Sequence, residues 1–401
     1  MHPPVRWKDD PDCGHLVNDP FQTHYCTYIR VPKLLTLQNP LTDHPDERLI
    51  ILALQAMELW LKVVANDVRA ALAEMDAGGL QTFEPTKLLH RASKLIRLLD
   101  RHCDLAESGL VHDLKLRIPV ANRAEGLLSH QLSGLVRLTT ELDQRIAPSD
   151  RQAHAAHPAG FGYIGRFGPW SERYQRLLAH LSEPRNSQAT EFARYLALDD
   201  LLDLHQGVKG DWAPLGQAAQ GLRATEDLNP DELMFIVVHQ VFELWFRAML
   251  HELDGTLEVL LSDPPVVAAA SRRMRRVVRT QQLLAEMIQI PAAMLPMDFL
   301  KFRSETRIVD GVTQERRLSP ASGTESYQFR ELEIVAGLKN SAAHQEFLHG
   351  NPRIHVRFLT PAQSDRLRHP SLPEAFARLL KLRGVDDVLA LFRPADEPNP
   401  H

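Results

Sequence analysis

Residues 44–62 read HPDERLIILALQAMELWLK and residues 229–247 read NPDELMFIVVHQVFELWFR, with eight of these nineteen positions identical. Shared helical periodicity matches apolar classes; it does not align Pro-Asp-Glu and Glu-Leu-Trp in register. The echo extends in both directions. Upstream, Tyr28-Ile29 and Leu34-Leu35-Thr36-Leu37 are repeated as Tyr195-Leu196 and Leu201-Leu202-Asp203-Leu204. Downstream, a basic helix follows in each half, ending near Asp113…Arg117 and Asp298…Arg303, and Ser129-His130-Gln131-Leu132 lines up with Ser326-Tyr327-Gln328-Phe329. The chain therefore reads as two diverged copies of one unit. Each copy alone carries too much apolar helix surface to stand in water, and packing one on the other would bury both faces, as subunits of a dimer do.

Helical periodicity dominates, over residues 47–75, 86–107, 123–146, 231–261 and 266–290. Asp46 and Asp231 each follow a proline and open a helix, while Gly78-Gly79 and Asp263-Pro264-Pro265 close one. Period-2 runs are few, so the expected fold is all-α: a helical bundle whose two repeats form an internal pseudo-dimer. The expected organisation is an N-terminal segment over 1–24, a degenerate first repeat over 25–146, and a connector over 147–190. A second repeat with the candidate site follows over 191–393, then a disordered tail over 394–401. Within the connector, residues 147–170 are rich in Pro, Gly, His and Ala and read as irregular.

Composition narrows the function classes. A formal charge of −5 and a pI near 6.4, with acidic and basic residues interspersed, give no footprint for nucleic acid. The longest uninterrupted apolar runs are short, no membrane partner is implied, and the first twenty residues lack the apolar stretch of a signal peptide. Three cysteines, Cys13, Cys26 and Cys103, are an odd and sparse set that argues against a disulfide framework. The expected setting is cytoplasmic.

The second long helix is richest in chemistry. Glu232, His239 and Glu243 share one face, with Phe235 one turn before His239 and Arg247 one turn after Glu243. His239 with Glu243 at i+4 is a possible metal pair; the same spacing also serves a polar seam between helices. The first copy keeps Glu47, Glu58 and Lys62 but has Leu54 where His239 stands. The carboxylates thus look structural, and His239 is peculiar to the second copy.

Residues 231–254, DELMFIVVHQVFELWFRAMLHELD, resemble the central helix of tryptophan 2,3-dioxygenases, as do PMDFLKFR (296–303) and LSPASGTESYQFRELE (318–333), with a weaker echo in LRHPSLPEAFARLLKLRG (367–384). The resemblance covers roughly residues 191–384. It implies a helical heme b enzyme that uses dioxygen to open the indole ring of tryptophan or a related aromatic amino acid, giving an N-formylkynurenine-type product as in the kynurenine pathway. Carried over residue by residue, His239 corresponds to the distal histidine that meets the indole N–H and Phe235 to an aromatic wall. Phe299 corresponds to a family aromatic, Arg303 to the arginine holding the substrate carboxylate, and Ser322 to a loop serine near substrate or heme. Tyr25 and Tyr28 correspond to an N-terminal segment that reaches into a neighbouring subunit's pocket, here offered by the first copy to the second. A homodimer of the pseudo-dimeric chain is a possible assembly.

Three departures accompany the resemblance. About twelve extra residues (304–315) separate Arg303 from the SPASG loop; Phe299 lacks a phenolic hydroxyl; and the family's late Trp-Arg-x-Arg-His pattern, which carries the proximal heme histidine, does not occur. His130, His251, His344, His349 and His355 are the substitutes available, none singled out. Two alternatives stay open: a heme-free member that binds an aromatic amino acid or places a non-heme metal on His239 and Glu243, and a non-catalytic scaffold or regulatory partner.

Overall fold

The computed structural model describes residues 22–23, 25–42, 44, 47–77, 83–107, 120–121, 129–146, 158–181, 190–205, 228–309, 312–318, 326–338 and 365–384. The helices run α1 (Tyr25–Ile29), α2 (Val31–Leu34), α3 (Glu47–Asp76), α4 (Phe83–Leu105), α5 (His130–Ile146) and α6 (Pro158–Leu181). They continue as α7 (Phe192–Tyr195), α8 (Leu198–Leu202), α9 (Pro230–Leu261), α10 (Val267–Met287), α11 (Pro296–Arg303), α12 (Tyr327–Val335) and α13 (Leu372–Arg383).

The two long helices, α3 and α9, pack on each other at the centre. Both are apolar on most of their circumference, so each needs cover on several sides. Around α3 lie α4 and α5; around α9 lie α10, α12 and α13. By length and composition both could cross a membrane, but the apolar window of each is 89% buried against protein. That matters because the short apolar runs in the sequence understated how apolar these helices are.

Local signals set the ends. Asn229 accepts the Asp231 N–H at 2.8 Å, Pro230 takes the first helical position, and Asp231 with Glu232 sits in the first turn of α9. Ser326 caps α12 by accepting the Phe329 N–H at 3.2 Å. Ser371 and Glu374 form a reciprocal capping box on α13, which ends at Gly384 with φ +80°. Expected boundaries at Gly78-Gly79 and at Asp46 lie outside the described residues.

The helical class holds, with minor strand content: β4 (Ser304–Val309) and β5 (Val312–Leu318) form an antiparallel hairpin, with Val309 opposite Val312 and Ser304 opposite Arg317. A two-residue β1 (Gln22–Thr23) joins it in parallel, and β2 (Val120–Ala121) pairs with β3 (Thr190–Glu191) elsewhere. The hairpin takes up the extra stretch after Arg303; its Thr, Ile and Val residues favour extended backbone. One expectation is corrected: residues 158–170, read as irregular, belong to α6, which contains Pro169. Packing overrides the Gly and Pro content. Tyr163, Phe167, Trp170 and Tyr174 are buried along one side of the helix, and the Tyr163 and Thr139 hydroxyls lie 2.8 Å apart across to α5. Residues 147–157 and the tail 394–401 lie outside the described residues.

Candidate functional site

Helix α9 presents Glu232, Phe235, His239 and Glu243 along one face, and α1 crosses that face with Tyr25 and Tyr28. The Tyr25 hydroxyl donates to Glu243 Oε1 at 2.8 Å and the Tyr28 hydroxyl to Glu232 Oε1 at 3.3 Å. From the other side α11 supplies Phe299, Phe302 and Arg303.

The rings form one cluster. Phe235 lies 4.5 Å from His239, 5.5 Å from Phe299 and 5.6 Å from Phe302, centroid to centroid. Tyr25 meets His239 edge-on at 5.7 Å, and Tyr28 meets Phe235 at 6.3 Å. These separations and tilts are those of favourable aromatic pairs. Arg303 is exposed at the rim with its guanidinium carbon 5.9 Å from the Phe299 ring centre. Thus six of the expected residues, Tyr25, Tyr28, Phe235, His239, Phe299 and Arg303, come together. Ser322 lies outside the described residues.

His239 is set for one role. Its Nδ1–H donates to the Phe235 carbonyl at 2.6 Å, since a carbonyl can only accept. Burial holds its pKa below the ordinary histidine value, against the opposing effect of that backbone bond. The imidazole is therefore neutral near pH 7, with the Nε2 lone pair left as an acceptor.

Glu243 is a different kind of group. Both carboxylate oxygens are engaged, Oε1 by Tyr25 and Oε2 by Gln328 Nε2 at 2.6 Å, and Ser326 adds a further side-chain bond. Burial raises its pKa, with those three bonds acting in the opposite direction. Its bonds tie α1 and α12 to α9, which is the seam role the first copy suggested. Among the described residues no group of three His, Cys, Asp or Glu side chains is placed to hold a metal ion.

A heme needs an axial ligand, and several of the described histidines are placed as follows. The ring partners of His239 are Tyr25 and Phe235. His251 lies three turns further along α9, roughly 18 Å away by helix rise. His102 is occupied by Leu98 and Trp245, and His205 by Lys62, Leu202 and Gln240. His130 is exposed at the start of α5. His344, His349 and His355 lie outside the described residues.

Phe302 was not anticipated, although its place three residues after Phe299 on a short helix was a usable signal. Gln328 and Ser326 were noticed only as part of the repeat; nothing in the sequence marked them as partners of Glu243.

Part of the chain is similar to known proteins. Residues 182–351 match the family model described as tryptophan 2,3-dioxygenase. A tryptophan 2,3-dioxygenase of Herpetosiphon aurantiacus is 32% identical over 200 residues, which is 49% of this chain and 62% of that protein. One from Saccharopolyspora erythraea is 31% identical over 210 residues, 52% of this chain and 62% of the relative. One from Bdellovibrio bacteriovorus is 39% identical over 128 residues, 30% of this chain and 32% of the relative. The chain thus spans less than two thirds of the length of these curated relatives. No solved structure matches it. The match to the tryptophan 2,3-dioxygenase family model, residues 182–351, includes His239, Phe299 and Arg303.

Proposed function

We propose that the protein is an oxygenase of the tryptophan 2,3-dioxygenase type, acting on tryptophan or a related aromatic amino acid with dioxygen. Both oxygen atoms enter the substrate, giving an N-formylkynurenine-type product. The observation that carries this reading is the neutral His239, its Nε2 held as an acceptor against a wall of Phe235, Phe299 and Tyr25. An indole fits this arrangement, with an apolar face for the rings and one N–H for the imidazole. Arg303 at the rim supplies a fork for the amino-acid carboxylate. Heme b is what the family resemblance implies, and when bound it would supply the dioxygen chemistry.

The second part of the proposal is that the chain is an internal pseudo-dimer, the first repeat standing in for a partner subunit. Crossed, reciprocal bonds support it. Tyr28 of the first repeat donates to Glu232 of the second, and Tyr195 of the second donates to Glu47 of the first at 3.1 Å. Gln240 Nε2 donates to the Ile29 carbonyl, and Gln55 Nε2 to the Leu196 carbonyl, both at 3.0 Å. Such pairs, in which i meets j′ and j meets i′, are the mark of a two-fold interface. A homodimer of this unit in the cytoplasm is the assembly we favour.

Purified protein expressed with heme supply should show a heme absorption band and convert tryptophan to a formylkynurenine-type product, both reduced in His239→Ala. A specific observation favours a second reading, a heme-free binder: the ring neighbours of His239 are Tyr25 and Phe235, neither a second histidine. Tryptophan raising Tm in colourless protein, without product, would select it. Neither heme, turnover nor tryptophan-induced stabilisation would overturn both.

A further inference from the structure

Away from the aromatic cluster, α4, α6 and the first turns of α9 enclose a cavity of about 700 Å³, within the range of sites for small organic ligands. Its walls are of two kinds. Met294 and Ala159, both half-buried, give it an apolar part, while Met234 and Ile290 are buried. His90, Lys94 and Arg97 project from one face of α4 at i, i+4 and i+7, and Arg166 faces them from α6.

Two of the lining cations, Lys87 and Arg91, are already neutralised. Lys87 binds Asp231 at 2.9 Å and Asp298 at 2.7 Å; Arg91 grips Asp67 at 2.6–2.7 Å and also binds Asp231; Lys301 binds Asp298 at 2.8 Å. Three cations there meet three carboxylates. Lys94, Arg97 and Arg166, which also line the cavity, do not share in this. Among the described residues no carboxylate pairs with Lys94, Arg97 or Arg166, and the three together with burial push the His90 pKa below its usual value. Arg166 is also pre-positioned: its guanidinium donates to Ser93 Oγ at 2.8 Å and to the Gly162 carbonyl at 2.7 Å. A Cβ at residue 162 would come within 3.2 Å of that guanidinium, so glycine leaves the room it needs.

We propose that this cavity is a binding site for a small amphipathic anion, an apolar body bearing a carboxylate, sulfonate or phosphate. The apolar body lies on Met294 and Ala159, and the anionic group meets Lys94, Arg97 and the fixed Arg166. A bare inorganic anion would leave the apolar side unused, and a neutral apolar molecule would leave the cations unanswered. The site is separate from the His239 cluster and does not depend on the oxygenase reading.

The probe is 8-anilinonaphthalene-1-sulfonate, titrated by fluorescence into the full chain, with far-UV circular dichroism confirming that each variant is folded. Lys94→Glu with Arg97→Glu should weaken binding by roughly tenfold or more, and Met294→Asp should weaken it as well. His239→Ala should leave it unchanged. Should the double variant fail to fold, Arg166→Met, which removes one exposed charge, gives the same reading. Unchanged affinity in the charge variants overturns the site, as does a loss confined to His239→Ala. Inorganic phosphate displacing the dye at equal concentration overturns the amphipathic assignment.

Discussion

His239 and His102 use the same device: each donates Nδ1–H to the carbonyl four residues back, Phe235 in one case and Leu98 in the other. The tautomer so selected leaves Nε2 as an acceptor. At His102 that acceptor takes the Trp245 indole N–H at 3.2 Å, an arrangement inside the core that mirrors what an indole substrate would find at His239. His239→Ala should therefore abolish the rise in Tm that tryptophan produces, whereas Arg303→Leu should raise KM by roughly tenfold, a modest effect because the guanidinium is exposed. Saturation binding and steady-state kinetics check these. The pH dependence of His102 follows from burial, which lowers its pKa to about 4. In the unfolded chain it titrates near 6.5, so between these values the unfolded chain binds the extra proton. The stability His102 confers is complete above pH ~6.5 and lost as pH falls toward 4. Glu58, raised to about 7 by burial, acts in the opposite sense, so the clean measurement is a difference. The stability gap between the parent and His102→Gln in urea melts should narrow from pH 7 to pH 5; a constant gap would refute the assignment.

Between elements, the strongest ties are ionic. Arg91 on α4 binds Asp67 on α3 and Asp231 at the start of α9, joining three helices at one buried guanidinium. Removing it would leave the buried Asp67 without its ion pair, while Asp231 keeps Lys87, so Arg91→Met should cost about 3–5 kcal/mol in urea unfolding. Its counterpart on α10, Arg276, binds Glu252 at 3.0 Å, but Arg273 binds the same carboxylate at 3.1 Å. Arg276→Met should be the milder change. The proposed repeat is read at this scale from Pro-Asp-Glu and Glu-Leu-Trp, which recur in register. Helix α6 was not legible, since its Gly and Pro residues argue locally against a helix and only the buried side of Tyr163, Phe167, Trp170 and Tyr174 argues for it. The hairpin after Arg303 was legible as extra length, not as strands.

For the whole molecule, the crossed tyrosines are the test of the pseudo-dimer. Tyr28→Phe and Tyr195→Phe should each destabilise by about 0.5–1.5 kcal/mol in urea, with similar size because each removes one half of a reciprocal pair. A marked asymmetry would count against the two-fold reading. The sequence by itself determined the helical class, the paired long helices and the singularity of His239, since these rest on periodicity and on residues that recur or fail to recur between copies. Only the tertiary structure decided that Glu243 is saturated by Tyr25, Gln328 and Ser326, that Phe302 joins the aromatic wall, and that Lys94, Arg97 and Arg166 converge on one cavity. The reason is physical: spacing along one helix gives a face, but what that face meets depends on packing between segments far apart in the chain.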